Sequence, residues 1–202
     1  MSGEAMAIGP VVIRSIVLSL AVLGLLFLFS ACRDGSTKSP VDPPLNGDYP
    51  ADWPRPDYPR TAMTLGGVDL TVEVAADSKS RRYGMMFVQE MPEDWGMMFI
   101  YPEKKPLGFW MRNTRISLDI AFIADLESGA RIVNVHSGMV PGQESPNYPS
   151  LGAIRMALEL PNGWLERHGV KAGDSVDLPE ALRTWPSGTD PVFQPNIPII
   201  DP

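Results

Sequence analysis

Cysteine is almost missing from this 202-residue chain: Cys32 is the only one. A disulfide within one chain is thereby excluded, as is any metal site built from several thiolates. Histidine is nearly as scarce, with His136 and His168 alone, so no spacing of His or Cys marks a metal centre and neither a metal nor a cofactor is expected. Runs of basic residues are absent and the formal net charge is -7. A protein that binds phosphate backbones needs clustered Lys and Arg, so nucleic acid is not an expected partner. No Gly-x-Ser-x-Gly elbow, phosphate loop or dinucleotide fingerprint occurs.

What is present begins with an uncharged apolar run, Ser15 to Cys32, "SIVLSLAVLGLLFLFSAC", preceded by Arg14. A basic start followed by an apolar centre has the layout of a secretory signal peptide over residues 1–31. Leu28, Phe29, Ser30 and Ala31 then lead into Cys32 with small residues in the last two positions, a pattern that resembles the lipobox of a bacterial lipoprotein. The expectation is a lipidated Cys32, a membrane partner through that lipid, and an extracytoplasmic location in the cell envelope, on the periplasmic side of a bacterial membrane. The alternative is an uncleaved anchor, because such a run at about 1.5 Å per residue just spans a bilayer.

Residues 32–60 then carry Pro40, Pro43, Pro44, Pro50, Pro54, Pro56 and Pro59, too many rings for helix and too few aliphatics for a core, which describes a stiff tether. Residues 186–202 repeat that composition as a Pro-rich C-terminal arm. Between them, residues 61–185 show a period of two. Val68, Leu70, Val72 and Val74 alternate with Asp69, Thr71 and Glu73, as on a strand with one wet face. Further strands are expected over 95–101, 107–113, 118–124, 131–137, 153–160 and 175–178. A short helix is expected to start after Asp77 and end near Gly84, and a second, "NGWLERHG", to stop at Gly169. The expected fold is α+β: a compact, mostly antiparallel sheet or half-closed β-barrel with two short helices.

Read as a hairpin, "GFWMRNTRISLDIAFI" sets Phe109 against Phe122 and Met111 against Ile120 on one side, Trp110 against Ala121 and Arg112 against Asp119 on the other. Trp110, Arg112, Asn113 and Asp119 are then candidate ligand-binding residues, since a guanidinium forks onto carboxylates or hydroxyls and an indole stacks on apolar ring faces. The competing reading is that Arg112 and Asp119 form a structural pair and Trp110 packs under a loop.

"RRYGMMF", "WGMMFIYP", "FWMRNTRISLDIAFI", "ALELPNG" and "GVKAGDSV", in this order, resemble the domain-of-unknown-function 192 (DUF192) family over about residues 65 to 178. By position, Arg81, Gly84, Met86, Gly96, Phe99, Trp110, Met111, Arg112, Asn113, Thr114, Asp119, Gly173 and Asp174 match the family pattern. Ser117 stands where the family has Pro, Tyr83 where a basic or polar residue is usual, and "PGQESPNYPS" lacks the paired Cys often seen in that loop. The resemblance implies a compact, sheet-rich, often secreted or lipid-anchored domain and brings no established activity.

Met85, Met86, Met91, Met97, Met98 and Met111 include enough thioether sulfur to raise a soft-metal site, but they sit beside Phe and Ile as core filler does. His168 falls in the last turn of the second helix, where a cation is favourable. The functional expectation is a non-enzymatic binding or accessory module of the bacterial envelope, with a small polar molecule or glycan as ligand. Two alternatives stand beside it: an envelope glycan hydrolase using Asp119 and His136, and a structural partner of another envelope protein.

Overall fold

The structure, a computed structural model, describes residues 54–185. The signal segment, Cys32, most of the tether and the Pro-rich C-terminal arm lie outside the described residues. Seven strands form one mixed sheet: β1 (Arg60–Leu65), β2 (Val68–Ala75), β3 (Trp95–Phe109), β4 (Leu118–Leu126), β5 (Gly129–Met139), β6 (Tyr148–Pro161) and β7 (Ser175–Val176), in the order β1-β2-β3-β6-β4-β5-β7. A single bridge from Thr64 on β1 to Asp177 beside β7 brings the two edges together, so the sheet is nearly closed into a barrel. Closure removes the exposed edges that an open sheet would present to other chains.

All pairings are antiparallel except β2 with β3. That parallel pair needs a long crossover, and residues 76–94 supply it, carrying α1 (Ser78–Tyr83). Asp77 caps α1 as its composition predicts: the carboxylate accepts from the Ser80 amide at 2.9 Å, and the Ser80 hydroxyl accepts from the Asp77 amide at 3.2 Å. Gly84 ends it with φ +48°, and a Cβ there would stand 3.2 Å from the Phe99 ring. Glycine both turns the chain and lets the helix end approach the sheet. The helices α2 (Trp164–Arg167) and α3 (Glu180–Arg183) are single turns, so three short helices replace the two expected.

Strands apolar on both faces bury both faces. Met98, Ile100, Ala121, Ile123, Leu158 and Leu160 point into the barrel with Leu70, Val72 and Trp164, whereas Met97, Phe99, Ile120, Phe122 and Ala157 pack on the outer face of β3, β4 and β6 with Phe109 and Met111. The period of two thus persists while the wet face is lost to covering segments.

The expected hairpin does not form. β6 lies between β3 and β4 and hydrogen-bonds to both, so Arg112 does not face Asp119, nor Trp110 Ala121, nor Met111 Ile120. The cause is local. The strand stops at Phe109, Asn113 beyond it takes φ +55°, and residues 110–114 dock on the 140–146 loop: the Met111 amide donates to the Gln143 carbonyl at 2.7 Å and the Gly142 amide donates to that of Met111 at 3.0 Å. Phe109 and Phe122 still meet, ring edge to ring face at 5.7 Å, as residues of one core and not of one hairpin.

Candidate functional site

Residues 108–114 form the exit of β3, not a continuing strand, yet their sides still alternate. Met111 is fully buried while Trp110 and Arg112 on either side are half-buried. The Trp110 ring packs with Tyr83, Met86 and Phe87 and has two guanidiniums near it, Arg112 at 5.3 Å and Arg82 at 5.8 Å from its centroid. Both lie within the range of cation–π attraction. Arg112 also pairs with Glu144 at 3.4 Å. Asn113 touches two residues of this group, Met86 and Phe87. Its carbonyl accepts from the Phe87 amide at 2.9 Å and its amide nitrogen lies 3.9 Å from the Met86 sulfur. Phe87 and Asn113 both have positive φ, 63° and 55°, so two strained non-glycine residues are joined by one hydrogen bond beside the site.

Asp119 is elsewhere. It is completely buried on the barrel-facing side of β4, and its two oxygens accept from the amides of Gly138 at 3.0 Å and Leu165 at 3.1 Å. One carboxylate therefore ties β4 to β5 and to the start of α2, satisfying an amide that a one-turn helix leaves open. The pairing of Asp119 with His136 is likewise absent. The His136 ring meets those of Phe122 and Tyr148 edge to face, and its Nε2 is 2.8 Å from the Pro149 carbonyl. His168 does more than cap its helix: it stacks on Trp164 and reaches Glu93 at 3.2 Å, next to the Arg167–Glu93 pair. The methionines behave as filler, Met97, Met98 and Met111 being fully buried, and no cluster of His, Cys, Asp and Glu suited to a metal occurs among the described residues.

The residue that sequence reasoning missed is Glu159. It lies in the middle of β6, opposite Met97 of β3 and Ile120 of β4, and is 4% exposed. Its Oε2 has no hydrogen-bond partner among the described residues. Burial without a paired cation pushes its carboxyl up from an ordinary 4.5 to about 8, so it holds its proton at neutral pH. The signal was in "RMALELP": a lone acid between Leu158 and Leu160 in the part of the strand after Arg155 that is otherwise apolar on both faces.

Glu159 lies on a cleft walled by Arg81, Arg82 and Gly84 from the end of α1, by Phe99 and Phe109 of β3, and by Trp110, Arg112 and Thr114 of the turn that follows. The space in it that water can occupy is about 30 Å³, enough for roughly two waters. Arg81 is fixed by hydrogen bonds to the carbonyls of Ala76 and Ile100 and by the face of Tyr101 at 4.9 Å. The cleft thus unites Trp110 and Arg112 with a neutral acid and two further guanidiniums; Asn113 supports its wall from behind, and Asp119 has no part in it. Chemically, it offers one buried O–H donor beside the guanidiniums of Arg81, Arg82 and Arg112, the last of them paired with Glu144.

The family model for DUF192, an uncharacterized ACR, matches residues 61–178. Two solved structures are similar. A "putative transcription regulator" from Sinorhizobium meliloti 1021 is 35% identical, with a TM-score of 0.52 over 59% of this chain and 92% of that one. A protein of unknown function from Novosphingobium aromaticivorans DSM 12444 is 34% identical, with a TM-score of 0.53 over 59% of this chain and 84% of that one. No curated protein matches.

Proposed function

Because this chain belongs to the DUF192 family, whose fold comes with no activity attached, we propose from its own residues that it is a lipid-anchored domain of the bacterial envelope that binds a small polar ligand at the Trp110–Arg112 cleft. One observation carries the binding part: the Oε2 atom of Glu159 is buried without a partner in a cleft. Such a group costs about 1–3 kcal/mol of stability, and a ligand that bonds to it recovers part of that cost.

Binding is favoured over hydrolysis by the same cleft. Glycan hydrolysis by the common routes needs two carboxyl groups across the scissile bond, and among the described residues Glu159 is the only carboxyl lining the cleft. Asp119 has both oxygens engaged by backbone amides. A DNA-binding role, which the name of the Sinorhizobium relative would carry over, is opposed by the net charge of -7. The anchor rests on the run from Ser15 to Cys32, and among the described residues no helix is long and apolar enough to cross a membrane.

Thermal melts of the full chain with a panel of sugars, amino acids and small acids test the reading. A ligand at about a hundred times its Kd should raise the Tm by roughly 5 °C or more, and Trp110→Ala or Glu159→Leu should abolish that rise. A panel in which no compound discriminates wild type from both variants would remove the cleft from consideration.

A further inference from the structure

We propose that the recess between the start of β3 and crossover residues 85–91 is a second binding site, which receives one uncharged aromatic ring of phenol to indole size. It is distinct from the Glu159 cleft, Met85 being the one described residue common to both linings, and it does not depend on the binding reading above.

Size is the first argument. The space in the recess that water can occupy is about 190 Å³. An apolar cavity of about 150 Å³ holds a benzene ring, so a phenol or an indole has room here. Surface chemistry is the second. Met85, Val88, Met91 and Trp95 supply the apolar walls; Met85 is buried, and Val88 and Met91 pack against the same outer core cluster. Two unbranched thioethers adapt to the outline of a flat guest, and sulfur makes favourable contacts at ring edges. An indole wall adds edge-to-face or offset stacking.

Charge is the third argument. Glu73 is the one buried charged side chain of the described lining, and both its oxygens are taken: Oε1 accepts from Arg55 at 3.2 Å and from Arg60 at 3.1 Å, and Oε2 accepts from Arg55. None of the buried side-chain polar atoms that lack a partner among the described residues belongs to this recess. An ionised guest would give up its hydration with no buried partner waiting, whereas an uncharged ring exchanges water for apolar contact.

The ring can come from a free molecule or from a side chain. The sequence holds one candidate for the second source in Trp53, two residues before Arg55 and outside the described residues; an indole linked so closely competes at high effective concentration. One titration separates the sources. Met91 lines only the recess, Met86 only the cleft, and Met85 both, so ¹³C-labelled methionine methyl groups of the full-length chain, observed by NMR, report where a probe binds. Indole should shift Met91 and Met85 saturably, with a Kd on the order of millimolar or below. It should bind about threefold or more tighter than cyclohexanol, which has no π-face. Val88→Phe and Met91→Phe each place a ring in the recess from a half-buried wall position and should each weaken indole about tenfold or more, read at Met85. The methyl spectrum of each variant also reports that it is folded.

Indole binding that tightens about threefold or more in Trp53→Ala would identify Trp53 as the resident ring; unchanged binding would identify free aromatic molecules as the guests. Indole shifting Met86 more than Met91 would put the ring in the cleft and overturn the proposal. Cyclohexanol binding as well as indole would overturn it too, as would indole affinity undiminished in both Phe variants. If neither indole nor phenol shifts Met91 or Met85, in wild type or in Trp53→Ala, the recess takes no aromatic ring and the proposal is wrong, while the melts of Trp110→Ala and Glu159→Leu still decide the cleft by themselves.

Discussion

Glu159 shows what one residue does when a strand buries both its faces. On a strand with a wet side this acid would reach solvent; here the outer face of β6 is covered by Phe99, Phe109 and the end of α1, and the carboxyl is shut in. It titrates at about 8 in the folded protein against an ordinary 4.5, so between those values the folded chain holds a proton that the unfolded chain has lost. The associated stability is fully present below about pH 4.5 and disappears as pH rises through about 8. Urea unfolding should therefore show wild type losing on the order of a few kcal/mol more than Glu159→Gln between pH 5 and pH 8.5, the other groups cancelling in the comparison. Parallel pH profiles for the two proteins would mean that the carboxyl is solvated. Trp110, half-buried and packed on Met86 and Phe87, should cost about 1–3 kcal/mol on truncation to Ala, less than a fully buried indole. A loss of 5 kcal/mol in the same melts would make it a core residue rather than a wall of the cleft.

At the scale of elements, what was legible followed from patterns local in sequence. Asp77 as an N-cap, Gly84 as a stop and the strand over "VDLTVEV" each depend on neighbours a few residues away, and each appears where expected, although Glu73 on the face expected to be wet is buried. Strand order depends on pairings across the chain, and there the nearest-neighbour assumption failed: β6, from the far end of the sequence, pairs with both β3 and β4. Asp119 was singled out for its apparent cross-strand partner and proved instead to be the fastener between β4, β5 and α2. Glu159 was overlooked because a single acid in an apolar strand carries no motif. The fastener role has its own consequence. Asp119→Leu should strand two backbone N–H groups in the interior and cost about 3 kcal/mol or more, whereas Asp119→Asn, which keeps one acceptor, should cost roughly half of that. Equal losses for the two variants in chemical denaturation would show that packing, not hydrogen bonding, is what Asp119 supplies.

At the scale of the whole molecule, the domain begins earlier than the family match at residue 61. Tyr58 is buried, its hydroxyl donating toward the carbonyls of Ser80 and Gly84 at 3.2 and 3.3 Å, and Arg55 and Arg60 converge on the buried Glu73. The last residues of the expected tether are therefore part of the folded body, and the carbonyls they engage belong to α1 and its terminating glycine, on the wall of the cleft. If Cys32 carries the lipid, about 22 residues remain to span from membrane to domain, at most ~70 Å if fully extended in polyproline form. One acyl chain holds a protein to a membrane only marginally, so stable attachment implies at least two chains on the mature N-terminus. Cys32→Ser should then leave the signal segment uncleaved at that site and eliminate the lipid, which mass spectrometry of the purified full-length product reads directly. An unmodified Cys32 in the mature wild-type protein would exclude the lipoprotein route and leave the apolar run Ser15–Cys32 as the only candidate anchor in this sequence. In either case the described residues that line the cleft, from Arg81 to Glu159, belong to the body that starts near Arg55.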